Sequence, residues 1–137
     1  GAASSGQTAI SNKVSSAGIV ATDTAGVGTG RNGVASSTYG NDGKAIFAFG
    51  TSFVNTINKV SSAGNIASDT SGTGTVRAQM ASASYGSDKG VFAFGQGSGG
   101  YVSLKNLLSN TGTMAADVTG VGTARVSSAG AGYSLSA

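Results

Sequence analysis

Large apolar residues are sparse along this chain and fall in short clusters separated by Gly, Ser and Asn. The strongest cluster is Ala45-Ile46-Phe47-Ala48-Phe49, echoed by Val91-Phe92-Ala93-Phe94. Successive apolar positions put large side chains on both faces of an extended segment, which is the pattern of a strand held between two stacked sheets. Before the second cluster runs a polar, small-residue stretch, residues 75–85, in which Val76 and Met80 are the bulky aliphatic side chains. A Gly-Ser-Asp turn joins the two, and Asn41-Asp42-Gly43 stands at the matching place in the first instance. After the first cluster, residues 53–60 place Val54, Thr56, Asn58 and Val60 on one face at period two. Residues 65–70 then form a short fourth segment ended by glycines. No segment carries a helical period, so the pattern predicts an all-β chain with four short strands per unit.

The units repeat. Asn12-Lys13-Val14-Ser15-Ser16-Ala17-Gly18 returns letter for letter as residues 58–64, and more loosely as Asn106-Leu107-Leu108-Ser109-Asn110-Thr111-Gly112. Asp23, Asp69 and Asp117 follow at offsets of 46 and 48 residues, each three residues ahead of a Gly-x-Gly-Thr turn. Arg31, Arg77 and Arg125 keep the same offsets, as do Tyr39, Tyr85 and Tyr133. One extra residue at Gly43 and three around Ser98-Gly99-Gly100 account for the changes in spacing. The chain therefore reads as a single repeat domain over residues 1–137, with an N-terminal arm at 1–9 and repeats near 10–55, 56–103 and 104–137. A period of this length is that of one recurring supersecondary unit, as in propeller blades. A β-solenoid is the competing architecture, because stacked coils also favour Gly, Ser and Thr, but the period is long for one coil.

Composition narrows the function. Gly, Ser, Ala and Thr make up 81 of the 137 residues, and Leu, Ile, Val and Phe only 26. A large aliphatic core is excluded, and Phe47, Phe49, Phe92 and Phe94 are expected to supply most of the buried area, each contributing on the order of 3–4 kcal/mol as an upper estimate. The chain has no Cys, His or Glu, so thiol chemistry and the usual metal and proton-transfer sets are missing. A net charge of +3 on so few charged residues is not the footprint of a nucleic-acid partner. No apolar run approaches the roughly 20 residues of a membrane span. No enzyme, cofactor or metal is expected.

The strings that could carry chemistry read as architecture. Gly28-Thr29-Gly30-Arg31-Asn32-Gly33 spells a dinucleotide fingerprint, but no helix follows it and the second copy loses two of the three glycines. One carboxylate per Asp-Thr-x-Gly loop is thin for calcium. Every charged residue sits at or beside a repeat position, whereas a catalytic set would appear once. Asp23, Asp69 and Asp117 are therefore expected to cap the glycine turns or to pair with Arg31, Arg77 and Arg125, eight residues on. Tyr39, Tyr85 and Tyr133 are expected to pack at each blade's edge with a hydroxyl partner, with a row of aromatic platforms for sugar rings as the alternative; Tyr101 with the variable loop at 95–101 is the candidate for a contact surface.

The run Arg, Tyr-Gly-x-Asp-Lys, then Ile/Val-Phe-x-Phe-Gly resembles the kelch repeat. The whole unit resembles kelch-like repeats of tailed-bacteriophage structural proteins, most closely over Asn106 to Gly112 and Asp117-Val118-Thr119-Gly120-Val121-Gly122-Thr123-Ala124-Arg125. The likeness covers residues 10–133, with Thr51 and Gln96 in place of the second glycine of the kelch pair. It implies kelch-like β-propeller blades; the order of the strand segments makes two of them complete and leaves broken blades at both ends, which are expected to meet the ends of another copy and close a ring or fibre. A stretch of a longer array is the other expectation. The resemblance further implies a structural, self-associating virion protein, placed in the virion or extracellular, with copies of itself and capsid or tail proteins as partners. The alternative is a glycan-binding module that reads surface polysaccharide through its tyrosines.

Overall fold

The clusters and turns become strands and hairpins where expected, and their ends are set by buried arginines and left-handed residues. The computed structural model describes residues 1–3 and 6–133; Ser4 and Ser5 of the arm and 134–137 of the third repeat lie outside the described residues. In chain order, β1 (Ala2–Ala3) pairs with β2 (Gly6–Gln7). Next, β3 (Ala35–Tyr39), β4 (Lys44–Ala48), β5 (Thr56–Val60) and β6 (Thr70–Ser71) form a four-stranded antiparallel meander in sequence order. The second repeat continues with β7 (Ala81–Tyr85) and β8 (Lys89–Ala93), then a separate hairpin of β9 (Gln96–Gly97) and β10 (Gly100–Tyr101); the third opens with β11 (Lys105–Leu108), which pairs with β8. Single bridges, Lys105 to Val118 and Leu108 to Met114, stand where a fourth strand would lie. An N-terminal half-unit is marked by bridges from Ser11 to Thr24 and Val14 to Val20. The protein is all-β, no sheet closes on itself, and no helix occurs among the described residues.

Both spacing irregularities are absorbed locally. Tyr39 opposes Lys44 and Tyr85 opposes Lys89, so the extra residue lengthens one hairpin loop without shifting register. The three extra residues of the second copy fall in the β9–β10 hairpin, beside the main sheet. The third and fourth segments of each copy are joined by one turn, in which Gly18, Gly64 and Gly112 donate to the carbonyls of Ser15, Ser61 and Ser109 at 2.9, 2.8 and 3.0 Å. Each serine hydroxyl then accepts from the amide four residues on. That geometry explains why Ser and Gly survive in all three copies while their neighbours change.

Successive copies stack so that equivalent residues touch. Gln79 N–H donates to the Gly33 carbonyl at 2.9 Å, and Ser127 N–H donates to that of Gln79 at 3.0 Å. Ser82 Oγ donates to the Ser36 carbonyl at 2.6 Å, and Thr38 and Ser84 share a hydrogen bond at 2.9 Å. Small side chains make this approach feasible: a Cβ on Gly90 would stand 2.5 Å from Ser37 Oγ. One apolar core lies between the two large sheets, with Tyr39, Ile46, Ala48 and Phe49 facing Met80, Phe92, Leu108 and Met114. Phe49 and Phe92 meet at a centroid distance of 6.0 Å.

Several expectations need correction. Residues 75–85 are strand only over Ala81–Tyr85, because Arg77 is fully buried and Gln79 is left-handed at φ 56°. Residues 53–60 begin pairing at Thr56, after left-handed Ser52 and Phe53. The segment at 65–70 is one bridge, Val60 to Ile66, followed by Thr70–Ser71. Phe47 does not join the core: it is 39% exposed, while its equivalent Phe92 is fully buried. The stacking is one-sided. The face of β8 that carries Phe92 lies on the first sheet, whereas the matching face of β4 opens onto a groove. Phe94, the equivalent of Phe49, is half-buried.

Candidate functional site

The most organised polar constellation is an arginine-centred network, built once in each large sheet. Arg31 immediately precedes the first sheet and is buried. Its Nε donates to the Phe49 carbonyl just past β4 at 2.9 Å, its Nη2 donates to Asn58 Oδ1 on β5, and its Nη1 lies 3.6 Å from Asp69 beside β6. Arg77 repeats the arrangement: Nε to the Phe94 carbonyl at 3.1 Å, Nη2 to Asn106 Oδ1, and Nη1 to Asp117 Oδ1 at 3.3 Å. Phe49 and Phe94 are left-handed at φ 62° and 63°, an uncommon conformation for a bulky residue, and each supplies the carbonyl that meets the guanidinium. One side chain thus ties the segment ahead of the first strand to the end of the second strand, the interior of the third and the fourth segment.

The aspartates clamp the glycine turns from the other side. Asp69 Oδ2 accepts from Thr29 N at 2.9 Å and Thr29 Oγ1 at 2.8 Å, and its Oδ1 accepts from Asn58 Nδ2 at 2.8 Å. Asp117 does the same with Thr75 N, Thr75 Oγ1 and Asn106 Nδ2, at 2.8, 2.6 and 2.9 Å. Glycine is required at the approach: Gly74 has φ +111°, and a Cβ there would stand 2.7 Å from Asp117 Oδ1. The expected pairing of each aspartate with the arginine eight residues on is overturned. Asp69 closes the sheet that Arg31 opens, while Arg77 already belongs to the next sheet.

The end copies hold half of this network each. Asn12 Nδ2 donates to Asp23 Oδ1 at 2.8 Å, as Asn58 does to Asp69, but no arginine pairs with Asp23 among the described residues. Arg125 is exposed, stacked 3.6 Å above the Phe94 ring, and its only described side-chain hydrogen bond is the one to the Thr123 carbonyl within its own turn.

Hydrogen bonding shifts the carboxyls. The Asn58 amide and the Thr29 hydroxyl hold Asp69 below the ordinary carboxylate value against the opposing effect of burial. For Asp117, burial pushes upward, but the Thr75 hydroxyl and amide, Asn106 and Arg77 outweigh it. Lys89 holds Asp88 low in the β7–β8 turn. Burial pushes Arg77 downward, offset in part by Asp117; an arginine stays charged in either case. A carboxyl depressed in the folded state binds its proton more readily once unfolded, so its stabilisation is present above the unfolded value, near 4, and is lost as pH falls through the folded one. The urea midpoint is therefore expected to hold from pH 7 to about 5 and to fall below about 4. An Asp69→Asn, Asp117→Asn double variant starts lower at pH 7 and shows a shallower acid decline.

The tyrosines form no row of platforms. Tyr39 is 5% exposed, with Gly112 packed against its ring, so it offers no contact surface. Tyr85 is half-buried and bridges in parallel to Tyr133, which is exposed, as is Tyr101 in the β9–β10 hairpin. Phe47, Val60, Val14 and Ile10 line a groove of about 590 Å³ between the N-terminal half-unit and the open face of the first sheet. Asp42 with Lys44 and Asp88 with Lys89 pair within hairpin turns. Among the described residues no three His, Cys, Asp or Glu side chains converge. The Gly28 to Gly33 string leads into β3, with its Thr29 held by Asp69.

Sequence reading overlooked Asn58 and Asn106, both buried at the centre of the networks, and Thr29 and Thr75. The signal was present: Asn is one of the three letters that the loosest copy of the opening motif retains. Comparison with protein-family models and with curated proteins finds no match for this chain.

Proposed function

We propose that this chain is a non-catalytic structural protein of a bacteriophage virion, built of kelch-like propeller blades that associate copy to copy. The observation that carries the reading is the duplicated arginine network. The charged, buried, hydrogen-bonded groups that an active site would use are spent identically in two sheets on joining strands. The stacking of equivalent residues and the parallel bridge between Tyr85 and Tyr133 suit blades set side by side with their first strands innermost. The likeness to phage structural repeats supplies the setting. Quantitative mass spectrometry of purified particles of the encoding phage is expected to find the chain at many copies per particle. Its absence from particles, together with strong Tyr85-dependent binding on a glycan array, would replace this reading with the polysaccharide-binding one.

A further inference from the structure

The string from Gly28 to Gly33 ends in Asn32-Gly33, an Asn-Gly pair that occurs nowhere else in the chain. The second and third copies carry Ala78-Gln79 and Val126-Ser127 at the same place, so the pair departs from the repeat. We propose that Asn32-Gly33 is a site of spontaneous modification, at which the Gly33 nitrogen closes on the Asn32 side chain and converts it to aspartate and isoaspartate. The site is independent of the virion reading.

The chemistry needs water and nothing else from outside the chain. The Gly33 nitrogen attacks Asn32 Cγ, a C–N bond forms, and the bond from Cγ to Nδ2 breaks. The Gly33 amide proton leaves with Nδ2 as ammonia, and a cyclic succinimide remains. Water then opens the ring, its hydroxyl going to a carbonyl carbon and its other hydrogen to the Gly33 nitrogen. Opening at Cγ leaves aspartate. Opening at the Asn32 main-chain carbonyl leaves isoaspartate, in which the main chain runs through Cγ.

The fold leaves both reacting groups untied. Asn32 Oδ1 is the one buried side-chain polar atom without a hydrogen-bond partner among the described residues, an arrangement uncommon in folded proteins. Asn32 bonds to Thr51 through its main chain instead. By contrast, the side-chain amides of Asn12, Asn55, Asn58, Asn65, Asn106 and Asn110 are each held by a hydrogen bond that attack at Cγ would disturb. The Gly33 nitrogen donates to no acceptor among the described residues, although the Gly33 carbonyl accepts from Gln79 N at 2.9 Å. Backbone geometry accounts for the glycine: φ is +59° here and 56° at the equivalent Gln79, a conformation that glycine takes without strain. Glycine also leaves no Cβ beside the attacking nitrogen. Both residues are half-buried, so water reaches the ring.

The position gives the change a structural effect. The Asn32 carbonyl accepts from Thr51 N at 2.8 Å and from Thr51 Oγ1 at 3.2 Å, and the next carbonyl, that of Gly33, holds the second copy through Gln79. Isoaspartate adds a carbon to the main chain between these two anchors. Aspartate sets a carboxylate where Oδ1 already lacks a donor. Either product loosens the joint between the first and second copies.

The test is to age the full chain in warm, mildly basic buffer and to map it by tandem mass spectrometry of its proteolytic peptides. Most of Asn32 is expected to show the amide-to-acid mass gain, preceded by a species lighter by one ammonia, while Asn110 and the exposed Asn41 remain amides. Gly33→Gln, which places the second copy's residue beside the amide, is expected to slow the conversion. The urea midpoint of the wild type falls on ageing, and that of Asn32→Ala, which carries the second copy's residue, does not. Acid that appears first at Asn41 or Asn110, or an Asn32 that stays an amide throughout, would overturn the site. Conversion that leaves the midpoint in place would overturn its effect on the joint.

Discussion

Replacing Arg77 with Met is expected to lower the free energy of unfolding by about 3–5 kcal/mol. Methionine fills much of the volume but donates nothing. Asn106 Oδ1, which has no exposure, and the carbonyl of half-buried Phe94 lose their donor, while the carbonyl of exposed Thr75 exchanges its donor for water. Each buried acceptor left unpaired costs about 1–3 kcal/mol. Asp117 suffers less, since it keeps Thr75 and Asn106 and is 24% exposed. Arg77→Lys is expected to recover only part of the loss, because an ammonium cannot span three acceptors set around a planar fork. The control is Arg125→Met in dilute monomer, where an exposed side chain gives up a cation–π contact worth about 0.5–1 kcal/mol. Urea unfolding of the three variants measures the contrast, and equal losses at the two arginines would refute the network's role.

Phe92→Ala is expected to cost about 3–5 kcal/mol, and Phe47→Ala about 1 kcal/mol. The two phenylalanines occupy equivalent places in the same run, Phe-Ala-Phe-Gly, and the nearest local difference is Ala45-Ile46 against Gly90-Val91 just ahead of it. Phe92 is sealed between the sheets against Phe49, and deleting its ring leaves a cavity that strands tied by the arginine network cannot collapse to fill. Phe47 already borders an open groove, so its loss removes partial burial and creates no enclosed void. Thermal melts at concentrations where the chain is monomeric read the difference. Similar losses would mean that the open face of the first sheet is covered in solution.

How much of this was legible in the residues depended on whether a feature is local. The turn at Ser15 to Gly18 is closed by groups within four residues of one another, and its serine and glycine persist through all three copies. The hairpins at Tyr39–Lys44 and Tyr85–Lys89 are equally local, so an inserted residue was absorbed at the place the spacing marks. The pairing of Asp with Arg is not local. Sequence proximity favours the partner eight residues away, and the meander instead returns Asp69 to the arginine at the start of its own sheet. The role of Asn58 and Asn106 stayed hidden for the same reason: an asparagine in a polar strand is unremarkable until a guanidinium from a distant segment is laid against it.

By itself the sequence determined the repeat, its period, the all-β class and the places of the turns, because alternation, glycine conformations and short-range hydrogen bonds are properties of a few neighbouring residues. It also determined that equivalent residues would recur in equivalent roles. Only the tertiary structure decided which copy each aspartate serves, which of two equivalent phenylalanines is buried, and which tyrosine is sealed away. The first outcome depends on how the meander returns, joining segments some 40 residues apart within one sheet. The other two depend on what lies across a sheet face, where contacts join segments 46 residues apart and differ between equivalent places even where the letters are the same.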